Sequence, residues 1–545
     1  MHSSHSRDPL QCLDQLNRIG IALSRERDTP KLLETILTAA KSLLNADGGT
    51  LYRLDEDNRQ LHFEVLHNDS LKLHMGGSTG APIPFPPILL YDDATGQPNI
   101  GMVVTYAVLH DTTVVIDDAY VDQDFDFSGT RRFDQKTGYR SRSFLTVPMK
   151  NHENRIIGVF QLINALDPET GQVRTFSPAD RQLAESLASQ AAITLTNHQL
   201  IAQLQSLFEG LIELINTAID HKSPYTGTHC QRVPILTMMI AEAARRSERG
   251  RLKDFRPTLE ELYELKIAGL LHDCGKITTP VHVVDKATKL ETLFDRIALV
   301  DTRFEVLKRD AEIALLNDKL AALERGDAAA IPALEQRFRQ RLAELEIDRE
   351  HLRHCNTGGE FMRPEAQEWV RRIAAYRWVG PDGQETDFLS EEEASNLCIA
   401  KGTLNPNERI IIEEHVALTL RMLSTLPWPN TLRNVPEYAG CHHEQLDGRG
   451  YHRGLGEADL PTPARIICLA DVFEALTASD RPYKPGKTLS EVMNILGWMV
   501  REHRIDPDLF DVFVRDGVWL DYAQRYLRPE QIDAVDLSRI PGYVP

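Results

Sequence analysis

The chain lacks any C-x-x-C pair; its seven cysteines (Cys12, Cys230, Cys274, Cys355, Cys398, Cys441 and Cys468) are scattered over 545 residues. This argues against a disulfide framework and a thiolate zinc site, and leaves mostly buried thiols as the expectation. No apolar run approaches the roughly 18 residues of a membrane-spanning helix, so no membrane partner is expected. The opening MHSSHSRDPLQ has no apolar stretch behind a basic one. A secretory signal is therefore not expected, and the cytoplasm is the expected location. Positive charge is also scarce: 61 Lys and Arg stand against 80 Asp and Glu, a formal charge of −19. Most of such a surface repels nucleic acid, and a polyanionic substrate would need a local positive site made of metals, Lys and Arg.

What is present is an ordinary globular composition, 42% hydrophobic and 26% charged, in a chain long enough for two or three cores. From Leu10 to Ala165 the pattern is mixed α/β. The helical LLETILTAAKSLLNADGGT gives way to the strand-like TLYRLD and LHFEVLH, and FLTVPMKNHENRIIGVFQLIN reads as a hairpin turning at NHEN. This part resembles a GAF domain, a small-molecule sensor with helices flanking an antiparallel sheet, and the domain is expected over 10–175. Asn164, Phe176 and Asp180 are similar to the signature of cyclic-nucleotide-binding members, although Ala165 replaces its Lys and Arg181 its Glu. Those three residues are the candidates for contact with a small GAF ligand. A sensor or dimerisation module without a known ligand is the alternative.

A connecting helix is expected over 176–220. Ile193, Leu200, Leu204, Leu207, Leu211, Leu214 and Ala218 fall on one seam, alternating by three and four from Leu200, with Asn197 as its polar member. Such a seam predicts a parallel homodimer, in which a buried Asn fixes register; the alternative is one amphipathic helix packed on its own domain. Residues 291–400 read as an insertion in the next domain. Charged residues at helical spacing from Phe294 to Gln340, broken at Gly326 and Asp327, predict a helical hairpin, and 354–387 reads as loop-rich. A charged, solvated face without chemistry is the expectation there.

The residues that suggest chemistry lie in TGTHCQRV (226–233), LHDCGKITTP (271–280), EEH (413–415), CHHEQLDGRGYHRGL (441–455) and ICLADVFEALTASDRPYK (467–484). Six of the nineteen histidines fall here, five of them the candidate ligands, and imidazole with carboxylate suits first-row divalent metals. Adjacent imidazoles on a helix point about 100° apart, so His442 and His443 can serve one metal only near a helix end or from one flank.

Taken in order, these motifs resemble an HD-GYP domain, expected over 221–525 around the insertion, with HDxGK at His272, Asp273, Gly275 and Lys276, and HHExxDGxGY from His442 to Tyr451. The overall class implied is multidomain: an α/β GAF sensor, a long connecting coiled-coil helix and an all-α HD-type phosphohydrolase with a helical insertion. The resemblance implies a phosphodiesterase that hydrolyses cyclic di-GMP to pGpG, with GMP as the alternative end product, and with Asp273 and Lys276 catalytic. It implies two divalent ions, Fe or Mn. His229, His272, Asp273 and Asp471 would hold one and His415, His442 and His443 the other, with Asp273 bridging.

The same resemblance assigns substrate contact to Lys276, Gly450, Tyr451, Arg481 and Lys484, with Arg453 assisting. Glu444 and Asp447 are expected to hold histidine N–H groups. Tyr225 stands where three-metal members carry an extra Glu, hence two metals. His452 replaces the Pro of the GYP triplet, which predicts a more mobile loop. The insertion is expected to narrow or cover the active-site mouth. Alternatives are a non-catalytic cyclic di-GMP receptor and an HD phosphohydrolase for another cyclic dinucleotide.

Overall fold

The computed structural model describes residues 9–26, 28–55, 57, 59–222, 229–358, 361–478 and 486–544. It forms two compact units, 1–208 and 209–545.

In the first unit, helices α1 (Pro9–Arg25) and α2 (Thr29–Leu44) precede the sheet. Asp28 caps α2 by accepting from Lys31 N, and Asn45 ends it in the left-handed region. Strands β1 (Ala46–Leu54), β2 (Gln60–Asn68), β3 (Leu73–Gly76) and β4 (Ile88–Leu89) come next, then α3 (Val103–Leu109), β5 (Val114–Ile116) and α4 (Ser128–Thr137). Strands β6 (Phe144–Lys150), β7 (Ile156–Leu166) and β8 (Val173–Arg174) complete it.

The sheet order is β3-β2-β1-β7-β6-β5, with β4 on β2 and β8 on β7. The predicted hairpin is β6–β7, with Phe144 opposite Ile163 and the turn closed by Asn151 N donating to Arg155 O. One core lies between sheet and helices: Leu32, Ile36, Leu37 and Leu43 of α2 meet Leu51, Val65, Phe160 and Leu162 of the sheet. The i, i+4 recurrence on α2 and the alternation on the strands produce that contact.

Helix α5 (Pro178–Lys222) runs from the first unit into the second. Its early residues Ala184, Leu187, Ala188 and Ala191 join the sensor core, whereas Ile212, Asn216 and Ile219 are buried in the second unit. The predicted seam is a different face: Leu204, Leu207 and Leu214 are 67%, 61% and 64% exposed.

The second unit is helical: α6 (His229–Arg246), α7 (Leu259–Leu271), α8 (Val281–Val284), the insertion, α13 (Pro406–Ser424), α14 (Val435–Gly440), α15 (Thr462–Thr477), α16 (Leu489–Arg501), α17 (Pro507–Arg515) and α18 (Val518–Tyr526). Capping boxes start α7 (Thr258 with Glu261) and α13 (Asn405 with Glu408). Cys230, Cys274, Cys355, Cys441 and Cys468 are buried thiols, as expected.

The insertion holds the predicted hairpin as α9 (Ile297–Glu324) and α10 (Ile331–Asn356), with Gly326 at φ +72° in the break. Two expectations there need correction. Residues 354–387 are not simply loop, because they carry α11 (Pro364–Ala374) and the hairpin β9 (Arg377–Val379) with β10 (Glu385–Asp387). Nor is the insertion only a solvated face: with α12 (Glu391–Leu397) it encloses a core of Leu290, Val300, Phe304, Leu352, Val370, Ile373, Phe388 and Leu397. Apolar residues thinly spread among charges were enough, because helix geometry gathers them on one side. The ends of the insertion meet: Thr403 donates to Lys286 O at 3.0 Å, and buried Lys286 pairs with Glu408 at 2.8 Å.

Candidate metal centre

Five helix ends or helix faces bring the predicted residues together. His229 opens α6, and Asp471 lies on α15, which packs along α6. His272 caps the end of α7, followed by Asp273 and a 3-10 turn over Cys274–Thr278. His415 lies on α13. His442 and His443 follow the end of α14, the placement that two adjacent imidazoles require if they share one ion. The start of α14 is itself tied to α7, since buried Glu264 accepts from Asn434 N at 2.6 Å.

Asp273 is central, and its two oxygens face opposite ways. Oδ2 lies 3.3 Å from His229 Nε2, 3.4 Å from His272 Nε2 and 2.6 Å from Lys276 Nζ. Oδ1 lies 3.3 Å from His415 Nε2 and 3.8 Å from His442 Nε2. Asp471 Oδ1 sits 3.2 Å from His229 Nε2, and its Oδ2 is 3.7 Å from His443 Nδ1.

Hydrogen bonds fix the tautomers. Nδ1 of His272, His415 and His442 faces the carbonyls of Gly269, Ile412 and Ala439, each three residues earlier. A carbonyl only accepts, so each Nδ1 carries the proton and each Nε2 presents a lone pair. Those three Nε2 atoms and Asp273 Oδ1 are buried without a hydrogen-bond partner. Unsatisfied buried acceptors cost about 1–3 kcal/mol each, so a group of them aimed at one point fits a cation. His229, His272 and Asp273 form one set whose ligand atoms all lie within 4.8 Å of one another, and His415, His442 and His443 form another. These are the residues that could hold metal.

The electrostatics agree for Asp273, His442 and His443; His229, against its burial, is raised by Asp273, Asp471 and Glu474 and must release its proton to take an ion. Burial opposes ionisation of Asp273, but Lys276, His272 and His229 hold its carboxyl well below the usual range. Burial, with His443 and His272 nearby, keeps His442 neutral, and burial pushes His443 down to about 4. Neutral imidazoles and ionised carboxylates are the ligand forms divalent metals need.

Two residues absent from the sequence reading assemble the site. Thr419 Oγ1 accepts from Gly275 N at 2.9 Å and donates to His272 O at 3.2 Å, joining α13 to the turn after α7. Gly275 allows that contact, because a Cβ there would lie 2.1 Å from His415 O. Glu474 accepts from His229 Nδ1. Thr419 follows His415 by four and Glu474 follows Asp471 by three, so helical periodicity placed both on ligand-bearing faces. Lys222, the last residue of α5, donates to the carbonyls of Ile277 and Lys276, so that helix ends on the turn carrying Lys276.

Other expected residues have different partners. Glu444 holds no histidine; it accepts from Arg453 N (2.7 Å) and Leu455 N (2.9 Å) and so ties down the loop expected to be mobile. Asp447 accepts from Arg449 N. The loop does not need proline where a buried carboxylate takes two of its backbone donors. Arg453 is engaged by Glu437 at 2.9 and 3.1 Å and by Cys441 Sγ. Gly450 lies against the Glu444 backbone, where a Cβ would come within 2.4 Å of its Cα, and the Tyr451 ring centroid is 4.8 Å from that of His443. Arg481, Lys484 and Tyr225 lie outside the described residues.

The three GAF candidates are internal struts. Asn164 Oδ1 accepts from Arg142 N and Ser143 N, and its Nδ2 donates to Tyr139 OH and Arg140 O. Asp180 pairs with Arg174 and accepts from Ser177, and Phe176 is in the core. Their side chains hold the local fold together.

Comparison with known proteins agrees with both halves. Residues 28–195 match the GAF domain family, and 226–339 and 392–509 match HD domain families. The chain joins a GAF domain to an HD domain. The HD-GYP resemblance carried by its motifs is upheld by its relatives. It is 44% identical over 166 residues to 3'3'-cGAMP-specific phosphodiesterase 1 of Vibrio cholerae, spanning 30% of this chain and 38% of that one. It is 40% identical over 95 residues to the cyclic di-GMP phosphodiesterase of Thermotoga maritima, spanning 17% of this chain and 25% of that one. A response regulator of Xanthomonas campestris, a cyclic di-GMP phosphodiesterase, is 39% identical over 127 residues, 23% of this chain and 32% of that one. The matched part of this GAF–HD chain thus spans under two fifths of each of these relatives. No helix among the described residues is long and apolar enough to cross a membrane.

Proposed function

We propose that this GAF–HD chain is a metal-dependent phosphodiesterase that hydrolyses cyclic di-GMP to pGpG, with GMP as the alternative end product, under control of its GAF domain. The observation that carries the reading is the convergence of lone pairs from His272, His415 and His442 on Asp273, whose two oxygens face two sets of histidines. His229, His272, Asp273 and Asp471 would hold one divalent ion and His415, His442 and His443 the other, with Asp273 bridging; Fe and Mn suit this nitrogen-rich set. When bound, such a pair makes hydroxide available near neutral pH and offsets charge on the phosphoryl oxygens.

The chain's own residues do the rest. Lys276, beside Asp273, is the cation available to a phosphate oxygen in an otherwise acidic protein. Tyr451, against His443, borders the place a guanine or its phosphate would occupy. Arg481 and Lys484 are proposed as a second phosphate-binding pair. The outward seam of α5 is proposed as a parallel homodimer contact, with Asn197 setting register. A small ligand of the GAF domain is proposed near Asn164, Phe176 and Asp180.

The test is chromatography of cyclic di-GMP and 3'3'-cGAMP products after incubation with Fe(II)- or Mn(II)-loaded protein. Turnover of cyclic di-GMP that disappears in Asp273→Ala is expected. Wild type no faster than that variant on either nucleotide would end the enzyme reading, and binding without turnover would make the chain a receptor.

A further inference from the structure

Three of the centre's four buried histidines, His272, His415 and His442, are oriented by backbone carbonyls, and His229 is not. Its Nδ1 meets Glu474, a carboxylate only 1% exposed, one turn beyond Asp471 on α15 and 245 residues away in sequence. Among the described residues, Arg232 also approaches that carboxylate, at 3.9 Å. A carboxylate behind an imidazole makes a stronger hydrogen bond than a carbonyl does and raises the basicity of the opposite nitrogen.

The two halves of the centre are therefore unlike. Around His229 and His272 stand Asp273 Oδ2 and Asp471 Oδ1, with Glu474 behind, and Lys276 offsets part of this charge. The half made by His415, His442 and His443 holds three imidazoles, the far oxygen of Asp273 and, 3.7 Å from His443 Nδ1, the second oxygen of Asp471, with no carboxylate behind an imidazole among the described residues.

We infer that Glu474 is a positioning residue that makes metal loading ordered: the His229 half fills first and tightly, and the His415 half fills second and more loosely. This rests on the two-ion reading above. The looser half is then the one that responds to metal supply, while the tight half holds its ion as part of the fold.

The experiment is titration of the metal-free full chain with Mn(II), following free and bound ion by electron paramagnetic resonance. Wild type is expected to show two classes, with the first equivalent giving an uncoupled signal and the second a spin-coupled pair. Glu474→Gln keeps the size and an acceptor but removes the charge, and should weaken the tighter class about 10–100-fold with the looser class unchanged. Glu474→Asp should restore part of the loss, and His443→Ala should affect only the looser class. A coupled signal from the first half-equivalent in wild type overturns the order without recourse to any variant. So does a Glu474→Gln protein that weakens both classes alike, or neither by more than threefold. A wild type that takes up no Mn(II) would instead remove the two-ion reading itself.

Discussion

Replacing Gly275 by Ala adds one methyl group at the place where the two halves of the centre are held together. Its Cβ would lie 2.1 Å from His415 O and 2.8 Å from both Thr419 N and Thr419 Oγ1, whereas real contacts of this kind essentially never fall under 3.0 Å. The backbone of α13 and the turn after Asp273 must therefore separate by 3.0 − 2.1 = 0.9 Å or more. The neighbours are backbone atoms of a helix, so no rotamer change relieves the clash. Overpacking of this kind costs about 1–3 kcal/mol. The same displacement draws His415 Nε2 away from Asp273 Oδ1, now at 3.3 Å, and a misplacement of about 1 Å costs on the order of 100-fold in rate. Gly275→Ala should thus melt at lower temperature, lose affinity for the second Mn(II) and turn over cyclic di-GMP about 100-fold more slowly. Calorimetry, Mn(II) titration and product chromatography read the three effects. Turnover within threefold of wild type, with unchanged Mn(II) binding, would refute the claim that this close approach joins the halves.

Gly210, inside α5, has open space around its missing Cβ, so Gly210→Ala should stabilise by about 0.5–1 kcal/mol in urea unfolding. Asn164→Ala should cost the sensor unit about 3 kcal/mol, by leaving Arg142 N and Ser143 N without their acceptor and putting Ala at φ +57°; denaturant midpoints check it. In the metal-free chain, burial holds His443 near 4 and His442 low, so the unfolded state binds more protons below its pKa of about 6.5. Stability should fall as pH drops from about 6.5 toward 4. His229, raised by Asp273, Asp471 and Glu474 against its burial, stays charged when folded and adds no loss in that window. Melting temperatures at pH 7 and 5 should differ accordingly, and bound Mn(II) should narrow the difference.

The ligand-bearing motifs were legible because each compresses its chemistry into adjacent or helix-spaced positions: His272 with Asp273, His442 with His443, Asp471 behind an apolar run. The sensor hairpin was legible for a similar reason, since its alternation and its NHEN turn are local. Partners that depend on packing were not. Glu444 follows the ligand His443 and so read as an acceptor for imidazole, yet it faces the next loop; only the close approach of Gly450 to its backbone turns it that way. The pairing of Arg453 with Glu437 was not legible either, because the two stand 16 residues apart. The insertion read as solvated because its core residues are spread over 108 positions, from Leu290 to Leu397, and no single stretch looks buried.

The meeting ends of that insertion bear on how the catalytic unit folds. Lys286 and Glu408 are 122 residues apart in sequence, and closing a flexible loop of that length costs about 4 kcal/mol of chain entropy. A segment with its own core can collapse first, and the length to be closed then shrinks to the few residues at its base. Before the helix bearing His415 can find the turn bearing His272, the search becomes a short one. The insertion would then act as a folding aid spliced into the catalytic unit. Phe304→Ala, which hollows its core, should slow refolding of the catalytic unit while leaving the Mn(II) affinity of the refolded protein unchanged.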